Sequence, residues 1–183
     1  MEDDGMTMMK IPKDRVGALI GKEGKTKQAI EEEASVSLKI DSDGEVRIYN
    51  RGEDPLMPMK VANLVQAVGR GFSPERAWRL LEDDEYLEVM DIREYVGKKG
   101  AHVMRMRSRV IGTKGKTRRI IENLSGASVS IYGSTVAIIA NSVQLPVARK
   151  AVEMLLRGSE HSSVYGYLER QRDHLKISEM GFE

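Results

Sequence analysis

The pattern of hydrophobic and polar residues repeats along the chain, so that the same order of strand-like and helix-like segments occurs twice. In the first copy the pattern predicts a strand, two helices, two strands and a closing helix, at residues 7–12, 13–20, 25–34, 35–41, 45–50 and 55–68. The strands alternate with a period of two, whereas the helices place apolar residues three and four positions apart. Gly69 and Gly71 then end the closing helix.

The second copy repeats this order after residue 85. Its predicted elements are again β-α-α-β-β-α, at residues 86–92, 101–111, 116–125, 127–132, 135–140 and 145–156. A shift of 91 positions places Gly21 on Gly112, Lys25 on Lys116 and Ile30 on Ile121. The main departure is an insertion with additional basic residues before the first helix of this copy. The sequence therefore predicts an α+β protein made of two units of about 90 residues each.

Two further helical segments are predicted outside the copies. Ser73 is suited to an N-cap and Pro74 to the first position of a helix, and Trp78 is expected to pack that helix against the body. Residues 162–175 predict a last helix, with Tyr165 and Leu168 facing the body. The chain is thus divided into a first domain, a helical linker, a second domain and a helical tail, at residues 1–72, 73–84, 85–158 and 159–183.

Composition narrows the functional class. The 183 residues are 40% hydrophobic without any run of 18 apolar residues, so neither a membrane span nor a membrane partner is predicted. Cysteine is absent and His102, His161 and His174 lack ligand spacing, so no metal site and no cofactor is predicted. No nucleophile–base pair or carboxylate motif stands out, and we predict that the chain is not an enzyme. Its acidic start lacks the order of a signal peptide, which favours a cytoplasmic location.

The formal net charge of +1 hides a strong local asymmetry. Residues 92–119 contain ten Lys and Arg residues and a single acidic residue, whereas residues 73–91 contain two basic and seven acidic residues. Residues 10–28, around the corresponding part of the first copy, contain six basic and two acidic residues. A basic patch of this density indicates a nucleic-acid partner for the second copy.

One seven-residue phrase occurs in both copies at matching positions. It reads IGKEGKT from Ile20 and IGTKGKT from Ile111. A nucleotide-binding P-loop also contains Gly-Lys-Thr, but it needs a glycine five positions before the final glycine, where this chain has Leu19 and Val110. A P-loop also follows a strand, whereas both phrases follow a predicted helix. Nucleotide hydrolysis therefore does not fit the phrase.

A turn without a ligand is the plainer interpretation, because glycine commonly ends one helix and lets the next begin. It does not account for the basic residues that follow each turn at once, namely Lys25, Lys27, Lys116, Arg118 and Arg119. For the first copy taken alone, this interpretation stays open.

The third interpretation is the G-x-x-G turn of a KH module, which offers backbone N–H groups to the phosphates of about four unpaired nucleotides. Glycine lets the main chain approach the phosphates, and the start of the next helix favours an anion. The β-α-α-β-β-α order resembles that of the type I KH module. We therefore predict two tandem type I KH modules, each a three-stranded antiparallel sheet packed on three helices, joined by a helical linker.

The predicted RNA-binding residues surround the two turns. In the second copy they are Gly112, Thr113, Lys114, Gly115, Lys116, Arg118, Arg119, Arg107, Arg109 and Ile111, and in the first they are Gly21, Lys22, Glu23, Gly24, Lys25 and Lys27. An apolar floor for the bases is predicted at Ile111, Ile120, Ile121, Val129 and Ile131. The second turn is expected to bind more strongly, because Lys114 stands where the first turn has Glu23.

Four stretches resemble one family over nearly the whole chain. They are VGALIGKEG from Val16, GFSPERAWRLL from Gly71, RVIGTKGKTRRIIENLSGASVSIYGSTVAIIA from Arg109 and VYGYLER from Val164. The sequence resembles the archaeal two-KH-domain proteins related to the eukaryotic ribosome-assembly factors known as the partner of the Nob endonuclease and its Krr relatives. The stretch from Arg109 is the most specific of the four.

The resemblance implies a non-enzymatic factor that binds single-stranded RNA near the 3′ end of small-subunit ribosomal RNA. It also implies two candidate protein partners, the Nob-type endonuclease and a translation initiation factor subunit. Eukaryotic members have a degenerate first KH unit, whereas Gly21 and Gly24 are both present here, so RNA binding by the first unit stays open. The alternative is a protein-interaction scaffold for the endonuclease or a translation factor, in which RNA binding is secondary.

Overall fold

The computed structural model describes residues 5–181, and the chain divides into two compact units after Asp83. The predicted first domain and tail begin or end outside this range, at residues 1–4 and 182–183. Each unit has its own sheet and its own set of helices, as the repeated pattern predicts.

The first unit has the order β-α-α-β-β-α. Its elements are β1 (Met6–Lys10), α1 (Lys13–Ile20), α2 (Lys25–Ala34), β2 (Val36–Ile40), β3 (Glu45–Asn50) and α3 (Met57–Gly69). The sheet is antiparallel with the order β1-β3-β2, and Val36 lies opposite Asn50. Val46 and Ile48 of the central strand are fully buried while Arg47 between them is exposed, because successive side chains point to opposite faces.

The segment after α3 folds onto the first unit. It contains α4 (Pro74–Ala77) and a 3₁₀ turn (Trp78–Leu81), both packed on α3. The Ser73 hydroxyl accepts a hydrogen bond from the Arg76 amide at 3.3 Å, so the predicted N-cap is confirmed. The predicted helix over residues 73–84 is shorter than expected, because the acidic residues 82–84 are exposed and have no apolar face to bury.

An arginine of α1 satisfies carbonyl groups at and beyond the end of α3. The Arg15 guanidinium donates to the Val68 carbonyl at 2.8 Å and to the Phe72 carbonyl at 2.9 Å. The last carbonyls of a helix have no partner within the helix, so these bonds fix how the chain leaves α3. Arg15 is therefore used inside the unit, although it contributes to the charge of residues 10–28.

The second unit repeats the order with one addition. Its elements are β4 (Tyr86–Asp91), α5 (Arg93–Val96), α6 (Gly100–Ile111), α7 (Lys116–Ser125), β5 (Ser128–Tyr132), β6 (Thr135–Ala140) and α8 (Gln144–Leu156). The sheet is antiparallel with the order β4-β6-β5. The inserted basic residues before α6 contain α5, a single turn. The predicted fold class, two modules each with a three-stranded antiparallel sheet packed on helices, is confirmed.

A long helix, α9 (His161–Glu179), completes the second unit and extends past the predicted residues 162–175. It packs on α7 and α8, and its side chains Val164, Leu168 and Leu175 are buried in the core of the unit. The prediction that Leu168 faces the body is confirmed. Leu168 is fully buried, so α9 belongs to the hydrophobic core.

The segments after α3 and after α8 are corresponding elements. A shift of 87 positions superposes the ranges of α3 and α8 and places Ala77 on Val164 and Trp78 on Tyr165. Ala77 and Val164 are both fully buried. Each unit therefore consists of the six-element module and one following helical element, which the sequence pattern alone presented as an unrelated linker and tail.

Candidate nucleic-acid interface

The two G-x-x-G turns have the same backbone conformation. The φ and ψ angles of the second turn are 74° and 172° at Gly112, 53° and 31° at Lys114, and 75° and 14° at Gly115. Those of the first are 76° and 175° at Gly21, 55° and 27° at Glu23, and 72° and 12° at Gly24. Each turn joins the first two long helices of its unit, where the repeated phrase places it. The structure therefore builds one loop geometry twice.

The first glycine of the second turn has no room for a side chain. A Cβ on Gly112 would lie 2.2 Å from Thr117 Oγ1 and 2.6 Å from the Thr117 amide nitrogen. Its positive φ with ψ near 180° is a region that essentially only glycine occupies. Gly115 is less demanding, since it has ordinary left-handed helical angles and a Cβ there would meet only Arg119 Nη1 at 3.3 Å.

The two glycines should therefore respond differently to substitution. We expect Gly112→Ala to lower the free energy of unfolding by about 2–4 kcal/mol, because it combines backbone strain with a steric conflict at Thr117. Gly115→Asn should cost no more than about 1 kcal/mol, since asparagine tolerates the left-handed region. Urea denaturation of both variants measures the difference, and equal losses would contradict this account of the turn.

The second turn carries exposed positive charge where α7 begins. The side chains of Lys114 and Lys116 are exposed, and Thr113 between Gly112 and Lys114 is exposed as well. Arg119 Nη1 donates to the Lys114 carbonyl at 2.7 Å, which holds the turn from the side of α7. The structure thus brings the predicted residues of the second turn together at the positive end of a ten-residue helix.

The two arginines of α6 that are predicted to bind RNA, Arg107 and Arg109, are half-buried within the unit. Arg109 Nη2 donates to the Ser159 carbonyl, and the Arg109 carbonyl lies 3.0 Å from His161 Nε2, so Arg109 anchors the start of α9. Ser159 corresponds to Phe72 under the 87-residue shift, so in each unit an arginine of the helix before the turn binds the same carbonyl position. RNA contact by Arg107 and Arg109 stays a prediction.

The first turn is similar in shape and weaker in positive potential. The Glu23 carboxylate lies 3.7 Å from Lys25 Nζ, and both side chains are largely exposed. Lys22 and Lys25 are exposed on the same turn, whereas Lys27 is half-buried beside Glu31. An anion approaching this turn therefore meets a carboxylate that the second turn lacks.

A glutamate in each unit binds the edge strand that lies beside the second long helix. Glu122 Oε1 accepts a hydrogen bond from the Val129 amide at 2.9 Å, and Glu31 Oε1 accepts one from the Leu38 amide at 2.8 Å. A basic side chain pairs with each carboxylate, with Arg118 Nη1 3.2 Å from Glu122 Oε2. This role of Glu31 and Glu122 was not predicted from the sequence, although the two residues match under the 91-residue shift. The pair fixes the position of β5 relative to α7.

The predicted apolar floor is wrong in two of its five members. Ile121 and Val129 are fully buried in the core of the second unit and cannot contact a base. Ile111, Ile120 and Ile131 are half-buried and keep part of their surface exposed. Adjacent residues of a helix point in different directions, so Ile120 and Ile121 cannot share one surface.

Within residues 5–181 no cluster of three or more metal-ligating side chains was found. No described helix is both long enough and apolar enough to cross a membrane.

The fold and the paired turns define a protein with two KH domains. Residues 86–173 match the family described as the eukaryotic type KH domain, KH-domain type I, and residues 6–57 match the KH domain family. A KH domain-containing protein of Methanocaldococcus jannaschii is 49% identical over 177 residues, which cover 96% of this chain and 78% of that protein. This chain belongs to the family of two-KH-domain proteins.

Solved structures have the same architecture. The crystal structure of Dim2p from Pyrococcus horikoshii OT3 has 51% sequence identity and a TM-score of 0.86, covering 91% of this chain and 99% of that chain. Dim2p in a complex with a/eIF2alpha and rRNA from the same organism has 51% identity and a TM-score of 0.88, covering 93% and 95%. The pre-rRNA-processing protein PNO1 of Eremothecium gossypii is 32% identical over 124 residues, which cover 67% of this chain but only 46% of the PNO1 protein. The family of this chain therefore includes the archaeal Dim2 proteins and is related to eukaryotic PNO1.

Proposed function

We propose that this chain is a non-enzymatic ribosome-assembly factor that binds single-stranded RNA near the 3′ end of small-subunit ribosomal RNA. The observation that carries the proposal is the second G-x-x-G turn, which lies at the start of α7 with Lys114 and Lys116 exposed. A cytoplasmic location accords with this role.

Binding would begin with a phosphate at the second turn. Gly112 and Gly115 lack side chains, so the sugar-phosphate backbone can come close to the main chain of the turn. The first amides of α7 and the ammonium groups of Lys114 and Lys116 supply positive charge at the same place. A contact to phosphate does not depend on base identity, so the turn would position the RNA without reading its sequence.

Bases would be read in the groove of the KH module, which we place between α7 and β5. The half-buried Ile111, Ile120 and Ile131 offer apolar contact, and Arg118 offers hydrogen-bond donors held in place by Glu122. Such a groove reads the edges of unstacked bases, which a duplex hides.

The relatives support the nature of the RNA and of the protein partners. The Pyrococcus horikoshii Dim2p, with 51% identity, forms a complex with rRNA and a/eIF2alpha. We propose the same classes of partner for this chain, together with a Nob-type endonuclease. The 3′ end as target and the endonuclease follow from the family resemblance.

Single-stranded RNA should bind more tightly than a duplex of the same sequence. If about three to five phosphates are neutralised, log affinity should fall against log salt concentration with a slope of about −2 to −3.5. Fluorescence anisotropy of one labelled 12-nucleotide RNA, alone and annealed to its complement, measures both quantities. Equal or tighter binding of the duplex would contradict the groove mechanism.

A protein-interaction scaffold is the second candidate function. It is favoured by the exposed acidic residues at 82–84 and by Glu23 in the first turn, neither of which suits RNA. A variant that no longer binds RNA separates the two functions. If such a variant still supports ribosome assembly in cells, the scaffold is the main function.

A further inference from the structure

A cavity lies beside the second turn, on the side of α9. This flanking cavity has a volume of about 390 Å³, and the residues that matter here are Arg105, Ser108, Thr113, Lys116, His161 and Tyr165. They come from α6, the turn, α7 and α9. The cavity is within the range of volumes that bind small ligands or single ligand groups.

The lining of the flanking cavity suits an anion. Arg105 and Lys116 are exposed cations, and Ser108 and Thr113 add hydroxyl groups. No carboxylate is among its lining residues, all of which belong to the described chain. Charged donors and hydroxyls converging on one space without an acidic neighbour are what a phosphate group requires.

The wall formed by α9 is held by three hydrogen bonds. His161 Nε2 lies 3.0 Å from the Arg109 carbonyl, which can only accept, so this ring nitrogen carries the proton. Arg109 in turn donates to the Ser159 carbonyl. The Tyr165 hydroxyl lies 3.0 Å from Thr117 Oγ1. The cavity therefore exists before a ligand arrives, which lowers the entropic cost of binding.

The first unit has a cavity in the corresponding place, with different chemistry. It measures about 440 Å³, and four of its lining residues match the flanking cavity one to one: Lys25, Thr26, Pro74 and Trp78 stand for Lys116, Thr117, His161 and Tyr165. Its remaining lining residues are Ala29 and Glu75. The cavity is thus a consequence of the repeated architecture. Both cavities contain a lysine and a threonine, whereas the arginines and the further hydroxyl groups line only the flanking cavity and Glu75 lines only the first-unit cavity.

We propose that the flanking cavity binds one additional RNA phosphate, next to the nucleotides held at the second turn. This inference rests on the proposed function, since it extends the path of the same RNA strand. Thr113 and Lys116 border both the turn and the cavity, so the backbone can pass from one to the other. Arg105, which lines the cavity from α6, would contact the additional phosphate.

Phosphate-by-phosphate neutralisation tests the proposal. The probe is a 12-nucleotide RNA with the sequence of the 3′ end of archaeal small-subunit ribosomal RNA, carrying one uncharged methylphosphonate linkage at each position in turn. A 2′-deoxy phosphodiester at the same position is the matched control. In the wild-type protein we expect a run of sensitive positions, each costing roughly fivefold in Kd.

Arg105→Gln should bind the unmodified RNA roughly fivefold more weakly. At one terminal position of the sensitive run, a methylphosphonate should then no longer change the Kd of this variant. Ser108→Leu, on the exposed face of α6, should silence the same position by filling the cavity without removing a charge. Arg172→Gln is the control, since Arg172 is exposed on α9 and lies outside the cavity lining.

The outcomes separate the two proposals. If the wild-type protein does not bind the RNA, the proposed function and this inference both fail. If it binds and the sensitivity pattern of Arg105→Gln and Ser108→Leu equals that of the wild type, the inference alone is overturned.

Discussion

Changing Thr113 and Lys114 together to aspartate should weaken binding of single-stranded RNA by roughly 100-fold, which corresponds to about 2.7 kcal/mol. Both side chains are exposed on the second turn, and the change places two carboxylates against the phosphate. Gly112 and Gly115 remain, so the turn and the helices around it should keep their conformation. Fluorescence anisotropy with one short RNA gives the affinity, and circular dichroism verifies the fold.

The first turn provides the matched control for this prediction. Changing Lys22 and Glu23 together to aspartate alters the same two positions of an equivalent backbone. Glu23 is already acidic, so the added negative charge is smaller, and we expect a loss of less than about tenfold. A larger loss from the first-turn variant would overturn the assignment of the main clamp to the second unit.

Leu168→Ala should be the most destabilising of the substitutions considered, lowering the free energy of unfolding of the second unit by about 2–5 kcal/mol. Leu168 is fully buried in the core of that unit, so its removal leaves a cavity. The loss would also loosen α9, which holds Tyr165 against Thr117. Urea denaturation followed by circular dichroism measures the change.

Ile177→Ala is the control on the same helix. Ile177 is 47% exposed, so its truncation should change the free energy of unfolding by no more than about 0.5 kcal/mol. Similar values for the two variants would show that α9 is not part of the core.

The repeated phrase explains why so much of the fold was predictable. The predicted helices at residues 13–20, 25–34 and 116–125 match α1, α2 and α7 residue for residue. A glycine on each side of the turn ends one helix and starts the next, so the sequence marks both boundaries.

Side-chain partners beyond the local sequence were not predictable in the same way. Glu122 reaches the Val129 amide seven residues later, and Arg109 reaches a carbonyl fifty residues later. A count of charged residues treats both as surface residues. Such a count contains no information on which backbone carbonyls and amides lack a hydrogen-bond partner in the local secondary structure. The matching Glu31 was a usable signal, since the repeat retained a glutamate at the same position.

The equivalence of α4 and α9 was hidden for a related reason. The shift between the copies is 91 residues for α2 and α7, 90 for β3 and β6, and 87 for α3 and α8, because the turns and loops differ in length. A single offset therefore fails after the second strand of each unit. The buried positions of Ala77 and Val164, together with the arginine bonds to the Phe72 and Ser159 carbonyls, show that the two segments have the same place in their units.

Crosslinking in living cells tests RNA recognition by the second turn most directly. A tagged copy of the chain in an archaeal host is irradiated, the attached RNA is sequenced, and the crosslinked peptide is identified by mass spectrometry. We expect reads concentrated at the 3′ end of small-subunit ribosomal RNA and crosslinks within residues 111–120. Reads spread without enrichment over cellular RNA, or crosslinks confined to the first unit, would contradict it.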